Sequence, residues 1–169
     1  MSSSDVSASV EERLAALEAV AAIERLKHRY WRACDRKDVA GFRACFVASG
    51  ADIDFERMGR YDDADGLADV FARVALRRDE AGRHLVLDMH HGLHPDITIV
   101  DRTSATGRWT LRFRQLDLRA RTEKVAAVEY DDAYVVEDGE WRISRCVART
   151  LWLITRPLPE DVRIEEAVA

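Results

Sequence analysis

Two adjacent histidines stand at the head of a strand-like run, His90-His91-Gly92-Leu93-His94-Pro95-Asp96, and three of the five histidines in the chain fall within it. The apolar stretch Ile97-Thr98-Ile99-Val100 comes next. Far upstream an aspartate, Asp35, closes an amphipathic segment. A histidine held by a remote carboxylate is a standard general base near neutral pH: the carboxylate fixes the tautomer and stabilises the imidazolium that forms. Asp35 lies at the negative end of a helix dipole, where a carboxylate is disfavoured unless a partner compensates it. It is either a surface turn residue or the partner of a histidine, with His90 the first choice.

Strand alternation leaves open which histidine acts. His91 shares parity with Leu85, Leu87, Met89 and Leu93, whereas His90 shares it with Val86, Asp88 and His94. Gly92 and Pro95 suggest a bulge that would reset the alternation. A metal centre built from His90, His91 and His94 is not expected, because adjacent strand residues face opposite ways and leave at most two ligands. Tyr30, Tyr130 and Tyr134 lie on apolar faces. Each hydroxyl either finds a structural partner or donates to an oxygen that gains charge during a reaction. The aromatic residues Trp31, Phe55, Trp109, Tyr130 and Trp152 would either line a cavity for a flat apolar molecule or form plain core.

These groups must be positioned by the elements around them. Leu14, Leu17, Val20, Ile23, Leu26, Tyr30 and Cys34 repeat at spacings of three and four, which predicts a helix over 11–35. Its polar faces carry Glu11, Glu12, Glu24, Lys27 and Arg36. Asp38 reads as the cap of a short second helix with Val39, Phe42, Cys45 and Phe46 buried. Residues 51–55 form a strand candidate, and Asp63 or Asp65 caps a third helix over 66–77. After Gly82 four strands are expected, at 84–100, 104–119, 122–137 and 141–155. Ala105, Gly107, Trp109, Leu111 and Phe113 alternate with polar residues, the mark of a half-buried antiparallel strand. Helices followed by a long antiparallel sheet make an α+β layout. One domain over 11–156 is expected, between a flexible stretch 1–10 and a C-terminal tail 157–169; Pro157 and Pro159 end the last strand, and residues 160–169 are expected to dock loosely.

Composition narrows the partners. The formal charge is -5, with acidic residues near each arginine cluster, so no nucleic-acid partner is expected. Cys34, Cys45 and Cys146 sit in apolar stretches without CxxC spacing, as in a reducing compartment. Residues 1–9 lack a basic start and an apolar core, and no run approaches membrane-spanning length. A soluble cytoplasmic protein with no membrane partner is the expectation.

Several segments in order carry a resemblance: Arg29-Tyr30-Trp31-Arg32-Ala33-Cys34-Asp35 followed by Asp38 and Phe42; Met89 to Ile97; Ala105-Thr106-Gly107-Arg108-Trp109; and Tyr130-Asp131-Asp132-Ala133-Tyr134 to Gly139-Glu140-Trp141-Arg142-Ile143. Over about 15–156 the chain resembles the SnoaL-like branch of the nuclear transport factor 2-like superfamily, which includes scytalone dehydratase, bile acid 7-alpha-dehydratase, steroid delta-isomerase and hexachlorocyclohexane dehydrochlorinase. The resemblance implies a cone-shaped α+β barrel with three N-terminal helices on a curved, mixed, mostly antiparallel sheet. It implies an Asp35–His90 dyad, with Tyr30 touching substrate. Related bile-acid enzymes carry an acid after the Gly-x-Trp, where this chain has Leu111-Arg112-Phe113; Asp132 or Arg149 would replace it. The wider substrate-binding set expected is Trp31, Phe55, His94, Trp109, Tyr130, Asp132, Tyr134 and Arg149.

The function that this resemblance implies is a cofactor-independent lyase of dehydratase type, acting on a small hydrophobic cyclic substrate of steroid or polyketide kind. Neither metal nor other cofactor is implied. A ketosteroid-type isomerase or polyketide cyclase is the alternative chemistry, and a non-catalytic binding or assembly module the alternative class. A homodimer or homotrimer is implied through the outer sheet face, with Trp141, Leu151 and Leu153 as candidates.

Overall fold

A computed structural model of the chain describes residues 9–166. Residues 1–8, most of the stretch expected to be flexible, lie outside the described residues, as do the last three. Helix α1 spans Val10–Arg36 and opens with a capping box, in which the Ser9 side chain accepts from the Glu12 amide at 3.1 Å and the Glu12 carboxylate accepts from the Ser9 amide at 2.8 Å. Lys37, left-handed at φ 61°, closes it. Asp38 then caps the short α2, Val39–Arg43, by accepting from the Gly41 amide at 2.8 Å. Of the two caps expected for α3, Ala64–Ala75, the structure uses Asp63.

The strands are β1 (Asp52–Asp54), β2 (Arg60–Tyr61), β3 (Val86–Ile99), β4 (Ser104–Asp117), β5 (Thr122–Glu137) and β6 (Glu140–Pro157). They form one six-stranded sheet in the order β2-β1-β6-β5-β4-β3. Every pairing is antiparallel except β1 with β6, so the sheet is mixed, and it does not close on itself. Helix α1 packs across β3 and β6. The two-residue β2 and the 3₁₀ turn Glu56–Met58 before it are too short to leave a periodic signal.

Three expectations need correction. Lys27, placed on a polar face, is fully buried, because Asp132 meets its ammonium at 2.6 Å and the Tyr130 ring lies 3.9 Å below it. Leu14 and Leu17 belong to the apolar stripe yet are 54 % and 68 % exposed; complete burial on that face begins at Ile23. Trp152 lies on the outer sheet face, half exposed. The β5–β6 register advances from Ala127↔Trp152 to Val128↔Thr150, which leaves Leu151 as an extra residue. One inserted residue reverses strand parity, so Trp152 turns out and Leu153 turns in.

Hydrogen bonds link the tail to the rest of the domain. Arg121 donates to the Pro159 carbonyl at 2.7 Å, and the Glu166 carboxylate accepts from the His84 amide at 2.9 Å.

Candidate active site

The last turn of α1 aims Asp35 at β3. Its Oδ1 lies 2.6 Å from His90 Nδ1 and 3.1 Å from the His90 backbone nitrogen, while Oδ2 lies 3.3 Å from the same nitrogen. The ring donates from Nδ1, so Nε2 is left as its free nitrogen. Phe113, opposite His90 on β4, supports the ring with centroids 4.9 Å apart. His91 is exposed on the other face, opposite Arg112. The bulge suspected in this strand falls between Leu93 and Asp96, with His94 at φ 51°. It lies beyond His90, so the parity of the histidine doublet is undisturbed.

His90 opens onto a cavity of about 400 Å³ between the three helices and the concave face of the sheet. Tyr30, Phe55 and Tyr130 line it together with apolar groups such as Phe71, Leu111 and Val128. Burial, reinforced by neighbouring Tyr130, pushes the Tyr30 phenol well above its usual range, and burial does the same to Tyr130. Both are therefore neutral O–H donors at physiological pH.

The rest of the expected binding set sits elsewhere. Trp31 is wedged between α1 and the sheet, edge-on to Trp109 with centroids 5.4 Å apart. Trp109 Nε1 donates to the Tyr134 hydroxyl at 2.8 Å, and that hydroxyl donates to Asp132 at 2.7 Å. Asp132 neutralises Lys27, so these residues form a buried polar network beside the cavity instead of lining it. Arg149 is exposed and bound to Asp54 at 2.6 Å. His94 lies at the exposed bulge, 2.6 Å from Thr110 Oγ1. The replacement for the missing acid is thus supplied by neither Asp132 nor Arg149.

Polar wall residues that escaped the sequence reading include Asp88, Gln115 and Lys124. Asp88 shares strand parity with His90, a signal present in the sequence. Its carboxylate accepts from Lys37 and, at 2.9 Å, from the Gln115 amide. Among the described residues no cluster of three His, Cys, Asp or Glu side chains is arranged to hold a metal ion.

A family model described as a SnoaL-like domain matches residues 15–147. The chain belongs to the SnoaL-like family. No match is found among curated proteins. Solved structures similar to this SnoaL-like protein include hexachlorocyclohexane dehydrochlorinase LinA-type3 from Novosphingobium barchaimii LL02, at TM-score 0.73 and 17% identity over 92% of this chain and 99% of that one. A candidate scytalone dehydratase from Novosphingobium aromaticivorans gives 0.72 and 20% over 89% and 98%. ActVI-ORFA from Streptomyces coelicolor gives 0.62 and 14% over 80% and 98%. At such identities the likeness is one of fold, the α+β cone of the nuclear transport factor 2-like superfamily. No helix among the described residues is long and apolar enough to cross a membrane.

Proposed function

We propose that this SnoaL-like protein is a cofactor-independent lyase that removes water from a hydrophobic cyclic β-hydroxy carbonyl compound of steroid or polyketide kind. The observation that carries the reading is a histidine clamped by a carboxylate on the wall of an apolar cavity. His90 Nε2 takes the proton from the carbon next to the carbonyl, and the C–H electron pair becomes part of an enolate. Tyr30, or Tyr130 beside it, donates to the enolate oxygen. As the carbonyl re-forms, a carbon–carbon double bond forms and the C–O bond of the hydroxyl breaks. The imidazolium returns its proton to that oxygen, which leaves as water on the same face. Asp35 orients the ring and compensates the imidazolium charge throughout.

A positioned base contributes about 10²- to 10⁴-fold, and a donor to the oxyanion a comparable factor. A cavity of this size lies within the range of small-molecule sites and suits a compact polycyclic ligand. Buried, unpaired cysteines suit a cytoplasmic setting. The half-exposed Trp152 and Ile154 give the outer sheet face apolar area for a homodimer or homotrimer.

The test is a panel of cyclic ketols, steroidal and polyketide-like, followed by the absorbance of a new conjugated double bond. Turnover by the wild type and its loss in H90A, with the melting curve unchanged, is the expected result. An H90A protein as active as the wild type would overturn the assignment.

A further inference from the structure

The inward-facing residues of the sheet fall into rows that run across the strands. One row contains His90, Phe113, Ala126 and Leu153. The row beside it contains Asp88, Gln115 and Lys124, which are direct cross-strand partners, and it is polar from end to end. Its charges are unequally compensated. Asp88 is compensated by Lys37 and also accepts from the Gln115 amide. Because the Gln115 nitrogen is spent on Asp88, its Oε1 is left for Lys124, whose Nζ lies 3.4 Å away. That long contact is the one hydrogen bond of the half-buried Lys124 ammonium among the described residues. An ammonium carries three donors, so most of its capacity is unspent, on a residue that lines the cavity. The other wall carboxylate, Glu56, accepts instead from the Thr150 amide at 3.2 Å.

We propose that Lys124 is the specificity residue of this cavity and that its substrate is an anion, a cyclic apolar body carrying a carboxylate. The assignment of a substrate with its reacting carbon at His90 rests on the lyase reading; the binding of the anion does not. One ammonium bearing a single charge matches a monoanionic carboxylate, whereas a phosphate would bring a second charge with no cation to meet it. The geometry also sets a length. Lys124 is two strands from His90 and one inward step along them, about 12 Å between their backbone positions. The carboxylate therefore sits at the opposite end of the molecule from the carbon that loses its proton.

The experiment measures binding of pyrenebutanoate and of its uncharged primary amide by pyrene fluorescence. Wild type should bind the carboxylate roughly 10- to 100-fold more tightly than the amide, the range for a hydrogen bond to a charged group. K124M should abolish that preference by weakening the carboxylate alone, with amide affinity and melting curve unchanged. K124R should retain a preference, because the charge stays. Equal affinities of the two probes for wild type, or a preference that survives in K124M, would overturn the proposal. H90A separates the two readings: its preference for the carboxylate should match wild type, while its turnover is the measurement on which the lyase stands or falls.

Discussion

The carboxylate of Asp35 grips His90 twice, through ring Nδ1 at 2.6 Å and through the backbone amide at 3.1 Å. The two contacts tie ring orientation to backbone position, so the imidazole cannot swing without breaking a charge-assisted bond. They also explain a carboxylate at the unfavourable end of α1, since two N–H donors compensate it where the helix dipole does not. Asp35→Asn keeps the shape and removes the charge that stabilises the imidazolium. Turnover should fall about 10²- to 10⁴-fold, with binding of an apolar probe unaffected. Near-normal turnover in D35N would show that the base works without its carboxylate.

Lys27 and Asp132 meet at 2.6 Å with neither side chain exposed. An ion pair so deep contributes little net stability, but removing one partner strands the other charge. K27M should therefore lose about 3–5 kcal/mol, read from the midpoint of urea unfolding. The double variant K27M/D132L should recover most of that loss, because no uncompensated charge remains. A double variant no more stable than K27M would mean that the hydrogen bonds of Tyr134 and Trp109, rather than stranded charge, set the cost.

Gly92 is needed for space. A Cβ built there would come within 1.8 Å of the Trp31 ring. The bulge signal it suggested belongs two residues later, and Gly92 itself is not among the positive-φ positions. Overpacking a fixed aromatic is costly, so G92A should lose about 2 kcal/mol or more. The smaller ring of W31F should restore part of the loss in the double variant. Thermal melting of the four proteins checks this, and additive losses would refute a direct clash.

The opening helix and the alternation of β4 were legible because their periods are long and unbroken, and the other long strands because turn residues bracket their apolar runs. The Asp35–His90 pairing was legible through the misplaced carboxylate and the resemblance. What was not legible depends on register between strands. Leu151 looks like any apolar strand residue; its role as the inserted one, which turns Trp152 outward, exists only against β5. The Asp88–Gln115–Lys124 row is likewise scattered along the sequence and assembled by pairing. Lys27 misled because residue type predicts exposure unless a counter-ion is known, and Asp132 is distant in the chain. Trp109 and Tyr134 were read as cavity walls because an apolar face does not say which side of a core it meets.

The tail depends on one more carboxylate. Glu166 accepts from the His84 backbone and ring, and the hydrogen bond from the ring, outweighing partial burial, holds its carboxyl below the usual 4.5. A group whose folded pKa is depressed binds protons less readily folded than unfolded. Its contribution is therefore complete above 4.5 and disappears as pH falls through the lowered folded value. Protection of the tail amides, 158–166, against hydrogen exchange, taken relative to the intrinsic rate at each pH, should be high near neutral pH and fall in that acidic window, while the centre of β5 stays protected. E166Q should show the poorly protected tail already at neutral pH and lose most of the acid dependence. A wild-type tail equally protected at both pH values would mean that Glu166 does not hold it.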